Sequence, residues 1–362
     1  MSSVGPRPRR VAVALSGGVD SSVAAALLLR EGLAVFGVTM LVWSASSTGE
    51  PPVSAADDAR LVCDRLGIPL HVVDLREQFK SQVVDAFCAS YERGWTPNPC
   101  LTCNRQIKFG ALLNAALELG ADQFATGHYA RIDCQQGEYR LLRARDRHKD
   151  QAYVLYTLGQ DDLRRTRFPV GSLTKEQVRA MADDLGLPSA HRPESQDACF
   201  LARTDYRQLV AHLRPDTARP GPILDVAGKV IGQHQGIAFY TVGQRQGLGI
   251  YGAAPSFVLE IDAARNALVV GAKSALYRRS LLAHQVSFVS GRPPPGPVAI
   301  QAKIRYNAAE QPATLEALPN QTARVTFDSP QPAITPGQGV VFYQDDLVLG
   351  GGLILAPGPR EG

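Results

Sequence analysis

No apolar stretch of this chain is long enough to span a membrane, and the opening MSSVGPRPRR leads into a strand-like run instead of a signal-peptide core. Membrane insertion and export are therefore not expected, and the cytoplasm is the expected compartment. Cysteine is also sparse. The six residues Cys63, Cys88, Cys100, Cys103, Cys134 and Cys199 are too few and too scattered to staple 362 residues. In a reducing compartment such thiols are expected to be free, metal-bound or catalytic. Cys100 and Cys103 form a C-x-x-C, but no second one exists, so a zinc site would lack half its ligands. No internal repeat is evident.

What is present is an ordinary globular composition, 45% hydrophobic and 20% charged, sufficient for a full core in two or three domains. The net charge of +4 permits a nucleic-acid partner without requiring one. Its distribution says more. Arg140 to Lys149 carries four arginines, a lysine and a histidine against one aspartate, and Arg164, Arg165 and Arg167 follow. Such clusters neutralise phosphates, although each also suits a solvated face.

The first half alternates strand and helix patterns. Val11 to Leu15, Ala34 to Leu41, Pro69 to Val73 and Gln123 to Thr126 read as strands. Val23 to Arg30, Ala55 to Leu66 and Asn104 to Leu119 read as helices, with SASSTGEPP at 44 to 52 a flexible loop. This alternation predicts an α/β domain with a parallel sheet covered on both faces, whose ligands bind beyond the carboxyl ends of the strands. Thr174 and Gln177 form a capping box for a helix ending near Gly186. After Tyr206 proline and glycine become frequent and short strands dominate; from Leu281 onward they recur at regular spacing. The expected organisation is an α/β domain over 1–205, a small β-rich central domain over 206–280 and a C-terminal β-barrel over 281–362.

Three motifs carry chemistry. SGGVDSS, at 16 to 22, lies between a strand and a helix. Gly17 and Gly18 let backbone N–H groups approach an anion while the following helix directs its positive end there. No GK[ST] closes it and it is not GxGxxG. Asp20 is placed to help hold Mg2+ on phosphates, and Ser16, Ser21 and Ser22 offer hydroxyls. The second motif, TPNPCLTCNRQIKFG at 96 to 110, sets Cys100 and Cys103 at the start of a predicted helix, where a thiolate is stabilised. The third, ESQDACF at 194 to 200, carries Cys199 in a loop; by itself it reads as a buried cysteine, and only beside the first two motifs as a functional one. Cys63, Cys88 and Cys134 fall in helical or hairpin patterns and read as inert.

SGGVDSS resembles the PP-loop of ATP pyrophosphatases, which cleave ATP between its α and β phosphates and adenylate a substrate. In order along the chain, SGGVDSS, TPNPCLTCNRQIKFG, TGHYAR at 126 to 131, KDQAYVL at 149 to 155, ESQDACF, TVGQRQGLGI at 241 to 250, KIRY at 303 to 306 and PGQGVVFY at 336 to 343 resemble the tRNA-specific 2-thiouridylases. The resemblance spans nearly the whole chain and implies an adenine-nucleotide alpha-hydrolase-like first domain. It also implies ATP- and Mg2+-dependent thiolation at C2 of the wobble uridine in tRNAs for Lys, Glu and Gln. Sulfur would arrive as a persulfide from a relay fed by a cysteine desulfurase.

Residue by residue, the resemblance places ATP on Ala14, Leu15, Ser16, Gly17, Gly18, Val19, Asp20 and Ser21, with Met40 and Gly127 flanking the adenine. Cys103 would be the nucleophile and Cys199 the persulfide carrier, closing a Cys103–Cys199 disulfide after transfer. Contacts to tRNA would come from Asn98, Cys100, His128, Lys149, Asp150, Gln151, Arg305, Tyr306 and Gln338. Many members have Asp where this chain has Cys100. The third thiol opens an alternative, a [4Fe–4S] cluster on Cys100, Cys103 and Cys199, one short of the usual four thiolates. Two further readings share only parts of the pattern. A PP-loop ligase or amidotransferase acting on a small metabolite would not need Cys103 or Cys199, and a non-enzymatic RNA-binding protein would not need Asp20.

Overall fold

The computed structural model describes residues 9–44, 55–190, 199–201, 205–250 and 255–359. The 45–52 part of the expected loop and residues 194–198 of the third motif lie outside them. A five-stranded sheet forms from β1 (Arg10–Ala14), β2 (Ala34–Leu41), β3 (Leu70–Asp74), β4 (Gln123–Thr126) and, after the hairpin strands β5 (Ala130–Gln135) and β6 (Glu138–Arg143), β7 (Thr166–Arg167). Its order is β3-β2-β1-β4-β7, and every pairing is parallel. The strands are apolar on both sides because both faces are covered: Ala12, Phe36, Val38 and Phe124 pack into one core, Val11, Val13, Val35 and Ala125 into the other. Strand order reverses between β1 and β4, so a crevice opens beyond their carboxyl ends.

Helix α1 (Val19–Arg30) begins four residues before the expected Val23, so Asp20, Ser21 and Ser22 belong to its first turn. The Ser21 and Ser22 hydroxyls both donate to the Gly18 carbonyl, at 3.1 and 2.8 Å, and this winds the first turn early. Helix α2 (Ala55–Leu66) follows β2, and Thr174 caps the helix Lys175–Asp184 through the expected box with Gln177. The helix expected over Asn104 to Leu119 is composite. It opens as Pro99–Thr102, widens to a π-helix over Cys103–Leu112 and closes as Leu113–Glu118.

The central region is a four-stranded sheet of β8 (Gly221–Leu224), β9 (Val230–His234), β10 (Phe257–Asp262) and β11 (Ala267–Gly271) around Ile223, Val258, Leu268 and Val270. The last part comprises β12 (Tyr277–Phe288), β13 (Val298–Lys303), β14 (Gln311–Leu318), β15 (Thr322–Pro332), β16 (Gly339–Gln344) and β17 (Leu347–Pro357). Because β12 pairs with both β15 and β17, these six strands close into a barrel. The β5–β6 hairpin, though it emerges from the α/β part, extends the barrel's sheet through β6 against β17. Arg143 at the end of β6 is buried there, ion-paired with Glu310, its guanidinium 3.8 Å from the centre of the Tyr343 ring.

Candidate active site

The phosphate cradle occupies the crevice between β1 and β4. The loop Leu15–Gly18 leaves β1, and Gly17 turns it with φ +73°, where an added Cβ would lie 2.2 Å from the Asp58 Cβ. Gly18 caps α1 without a side-chain bond, so the first-turn N–H groups face outward as anion donors. From the other side comes Gly127, directly after β4; a Cβ there would fall 2.5 Å from the Ser21 nitrogen. Only glycine permits this approach. Met40 sits at the carboxyl end of β2, level with the same crevice.

Two residues not assigned from sequence complete this end. The Tyr129 hydroxyl donates to Asp20 Oδ1 at 2.8 Å, and the Lys175 ammonium bonds both Asp20 oxygens at 2.7 and 2.8 Å. Lys175 lay in view within TKEQ, whose capping signal concealed that its first helical residue reaches back to the cradle. One carboxylate beside a nest of N–H donors is the donor set Mg2+ takes when nucleotide phosphates supply its other ligands, so Asp20 fits the expected role.

The helix that carries Cys100 and Cys103 meets this crevice through Phe109, whose ring centre lies 5.9 Å from that of His128, the residue after Gly127. Asn98 caps the short helix by accepting the Cys100 N–H at 3.1 Å, leaving Cys100 exposed at its first turn. Cys103 is buried at the start of the π-helix, a winding that recurs at functional sites. Cys199 is exposed on a one-turn 3-10 helix whose neighbour Phe200 packs against Phe79 and Phe87. Burial pushes the Cys103 thiol up to about 12, opposed by Lys108 and reinforced by Cys199 and Cys100. The Cys100 and Cys199 thiols are open to solvent on one side yet crowded by protein on the other, and desolvation raises both, again opposed by Lys108.

All six cysteines are free in this structure, with Cys103 buried in its helix and Cys199 exposed on its turn; the Cys103–Cys199 disulfide is expected only after sulfur transfer. Among the described residues no three His, Cys, Asp or Glu side chains are grouped as they would be around a metal ion.

The residues expected to contact tRNA are mostly engaged within the protein. His128 is buried between Phe109 and Phe168, its Nδ1 2.8 Å from the Thr126 hydroxyl, and desolvation lowers its pKa far below the ordinary value. It is a neutral imidazole. Asp150 accepts from the Ala144 and Ala152 amides, and burial raises its carboxyl. Gln151 accepts the Tyr129 N–H at 2.9 Å, and Lys149 precedes them half-buried. Arg305 donates to the Ala333 carbonyl, while Tyr306 lies exposed with its ring edge against Tyr153. Gln338 donates to the Thr96 carbonyl at 2.8 Å, and the Thr96 N–H donates to Pro336. The Tyr153 hydroxyl reaches the Gly339 carbonyl at 2.8 Å. A turn of the barrel therefore clasps the loop that carries the cysteines.

A parallel sheet with a glycine cradle at its switch point, a row of thiols beside it and a barrel gripping the thiol loop define a nucleotide-dependent enzyme of sulfur chemistry with appended β domains. Family models match in three consecutive stretches: a tRNA methyl transferase HUP domain over 9–203, a tRNA methyl transferase PRC-barrel domain over 208–272 and an aminomethyltransferase beta-barrel domain over 278–354. Full-length relatives bear a different name. The tRNA-specific 2-thiouridylase MnmA of Roseiflexus castenholzii is 48% identical over 95% of this chain and 99% of its own, and that of Moorella thermoacetica is 50% identical over 94% and 98%. The chain belongs to the tRNA-specific 2-thiouridylase family. Among solved structures, a 4-thiouridine synthetase–RNA complex with bound ATP covers 57% of this chain and 51% of its own at 18% identity, with a TM-score of 0.36. That likeness is too distant to add to the assignment.

Proposed function

We propose that this protein is an ATP-dependent sulfurtransferase that replaces the C2 oxygen of a tRNA wobble uridine, in tRNAs of the Lys, Glu and Gln type, with sulfur from a cysteine persulfide. The observation that supports this reading is that the helix carrying Cys100 and Cys103 packs Phe109 against His128, the residue after Gly127, whose backbone closes on the first turn of α1 at the cradle. A pyrimidine carbonyl oxygen is a very poor leaving group, so sulfur can replace it only after activation.

The cradle N–H groups bind the ATP phosphates. Asp20 would hold Mg2+, which neutralises the departing pyrophosphate, and Lys175 adds a fixed positive charge beside it. The uridine O2 attacks the α-phosphate and pyrophosphate leaves. A persulfide on Cys199, loaded by an external persulfide donor, then attacks C2 through its terminal sulfur, and AMP departs with the former oxygen. The Cys103 thiolate attacks the Cys199 sulfur; the S–S bond breaks with its electron pair remaining on the transferred sulfur, which becomes the thiocarbonyl. A Cys103–Cys199 disulfide results, for an external dithiol to reduce. The exposed position of Cys199 suits loading by a partner, and the buried position of Cys103 suits a thiol that acts last. The target base enters by flipping from the anticodon loop, where unstacking is inexpensive. A reducing cytoplasm suits the free thiols.

The test is mass spectrometry of tRNA incubated with ATP, Mg2+ and a persulfide donor, comparing wild type with Cys103→Ala and Cys199→Ala. Loss of 2-thiouridine in both is expected, and thiolation unaffected by both refutes the reading. Iron and sulfide analysis of anaerobically purified protein is expected to find neither in a fully active preparation; activity that tracks bound iron would replace the persulfide route with the cluster.

A further inference from the structure

With His128, Asp150, Gln151, Arg305 and Gln338 engaged inside the protein, an RNA backbone needs other cations to meet it. The basic run from Arg140 to Lys149 is the place to look, and the structure divides it. Arg140 is paired with Asp133, and Arg143 is buried on Glu310. Arg145 and Arg147 instead line a cleft of about 340 Å³, together with Arg131, Ser172 and Asp346. This cleft lies on the seam where the β5–β6 hairpin meets the barrel. Arg131 stands on β5, and Asp346 lies in the turn between β16 and β17, its carbonyl accepting the Arg143 N–H at 2.9 Å.

The charges of the cleft are held in fixed positions. Asp346 accepts from Arg131 through one oxygen, at 2.6 Å, and from Arg147 through the other, while the Arg131 Nε donates to the Arg143 carbonyl at 2.7 Å. One carboxylate thus orients two guanidiniums and cancels the charge of one. Arg145 is exposed and reaches the Ser172 carbonyl at 3.5 Å, a neutral group that cancels nothing. Three arginines against one aspartate leave the lining with two positive charges in excess. Asp146, between Arg145 and Arg147, accepts the Lys175 and His148 N–H groups at 3.0 and 3.1 Å. Because Lys175 in turn bonds Asp20, the arginine loop is tied to the helix that reaches the nucleotide cradle.

We propose, resting on the sulfur-transfer reading above, that this cleft binds backbone phosphates of the tRNA substrate, with Arg145 and Arg147 as the contacting groups and Arg131 and Asp346 as the frame that holds them. The phosphates of ATP belong to the cradle at Gly17 and Gly18, so the polyanion left for a second cationic site is the RNA. Guanidinium groups suit it because they donate two parallel N–H bonds to one phosphate and stay charged at every working pH. Contacts of this kind carry no base information; the cleft sets where the RNA lies, and the crevice selects the uridine. Spanning the seam, the site lets the α/β part and the barrel grip one RNA segment together.

The experiment measures equilibrium binding of unmodified tRNA to the full-length protein by filter retention, with sodium chloride raised from about 50 to about 200 mM. Combining Arg145→Gln with Arg147→Gln is expected to weaken binding about tenfold and to lower the slope of log affinity against log salt by roughly 1.4 to 1.8, the loss of two phosphate contacts. ATP affinity, measured by calorimetry, is expected to stay at the wild-type value. Arg164→Gln with Arg165→Gln removes the same charge at the amino end of β7 and is expected to leave tRNA binding unchanged. Equal weakening in both pairs would reduce the effect to net charge and overturn the site, as would an unaltered affinity and slope in the Arg145 and Arg147 pair. Circular dichroism checks folding, and Arg145→Gln alone, at an exposed position, is expected to give half the change in slope. Titration with pyrophosphate tests a free phosphate ligand: binding heat lost in the Arg145 and Arg147 pair, with tRNA affinity intact, would assign the cleft to the small anion and overturn the RNA contact. Thiolation from a persulfide donor is assayed in parallel. A wild type that binds tRNA through the cleft as expected but does not thiolate it would sink the sulfur-transfer reading and leave the phosphate site standing.

Discussion

At the scale of single residues, charge and burial set what each group contributes. Lys175 and Tyr129 hold Asp20 in place, so removing the ammonium leaves a carboxylate facing nucleotide phosphates with less compensation. Lys175→Met is expected to weaken ATP binding about tenfold, or ~1.4 kcal/mol, by calorimetry; an unchanged affinity would remove Lys175 from the nucleotide site. Burial lowers the pKa of His128, His234 and His284. Below their ordinary value of about 6.5 the unfolded chain takes up protons that the folded chain refuses, so stability falls as pH drops through 6.5 toward 5. Thermal melts from pH 8 to 5 are expected to show that decline, and His128→Gln to flatten it. The motifs singled out the cradle glycines and the cysteines at this scale, while the burial of His128 and Asp150 was not legible, because burial depends on what packs over a loop.

At the scale of elements, the close passage of Gly127 against the first turn of α1 joins the two halves of the crevice. Gly127→Ala drives a methyl into the Ser21 backbone, which cannot yield as a flexible side chain would. We expect a loss of ~1–3 kcal/mol in chemical denaturation together with loss of ATP binding; a variant of wild-type stability and affinity would show that the crevice is looser than drawn. Strands and helices were largely readable, since β2 and α2 follow their apolar patterns end to end. Two departures have local causes. Serine hydroxyls wind α1 early at Gly18, and the π-winding after Cys103 leaves no mark in apolar periodicity that distinguishes it from an α-helix.

At the scale of the molecule, the barrel holds the loop that leads to Cys100 and Cys103 instead of merely following it. Thr96 is bonded through Pro336 and Gln338, and Tyr153 through Gly339, so the PGQG turn fixes the entry to the cysteine helix. Removing one of these bonds with Gln338→Ala is expected to cost ~1 kcal/mol. Because the clasp grips the thiol loop and not the cradle, the variant should lose thiolation more than pyrophosphate release, and an equal loss of both would count against the clasp. On the far side Arg143, buried with its charge on Glu310 and its face on Tyr343, locks the β5–β6 hairpin to the barrel. Arg143→Met is expected to destabilise by ~3–5 kcal/mol in denaturant titration, a burial penalty that falls on the partner left unpaired.

The sequence by itself determined the parallel α/β layers, the glycine cradle and the capping box, because short-range sterics and hydrogen bonds govern each of them. Only the tertiary structure decided that Lys175 meets Asp20 across 155 residues, that Gln338 meets Thr96 across 242 and that the β5–β6 hairpin joins the barrel. The physical reason is common to all three. Such pairings arise when distant segments bury their apolar faces together, and the polar contacts made there belong to the packed arrangement, not to any local pattern.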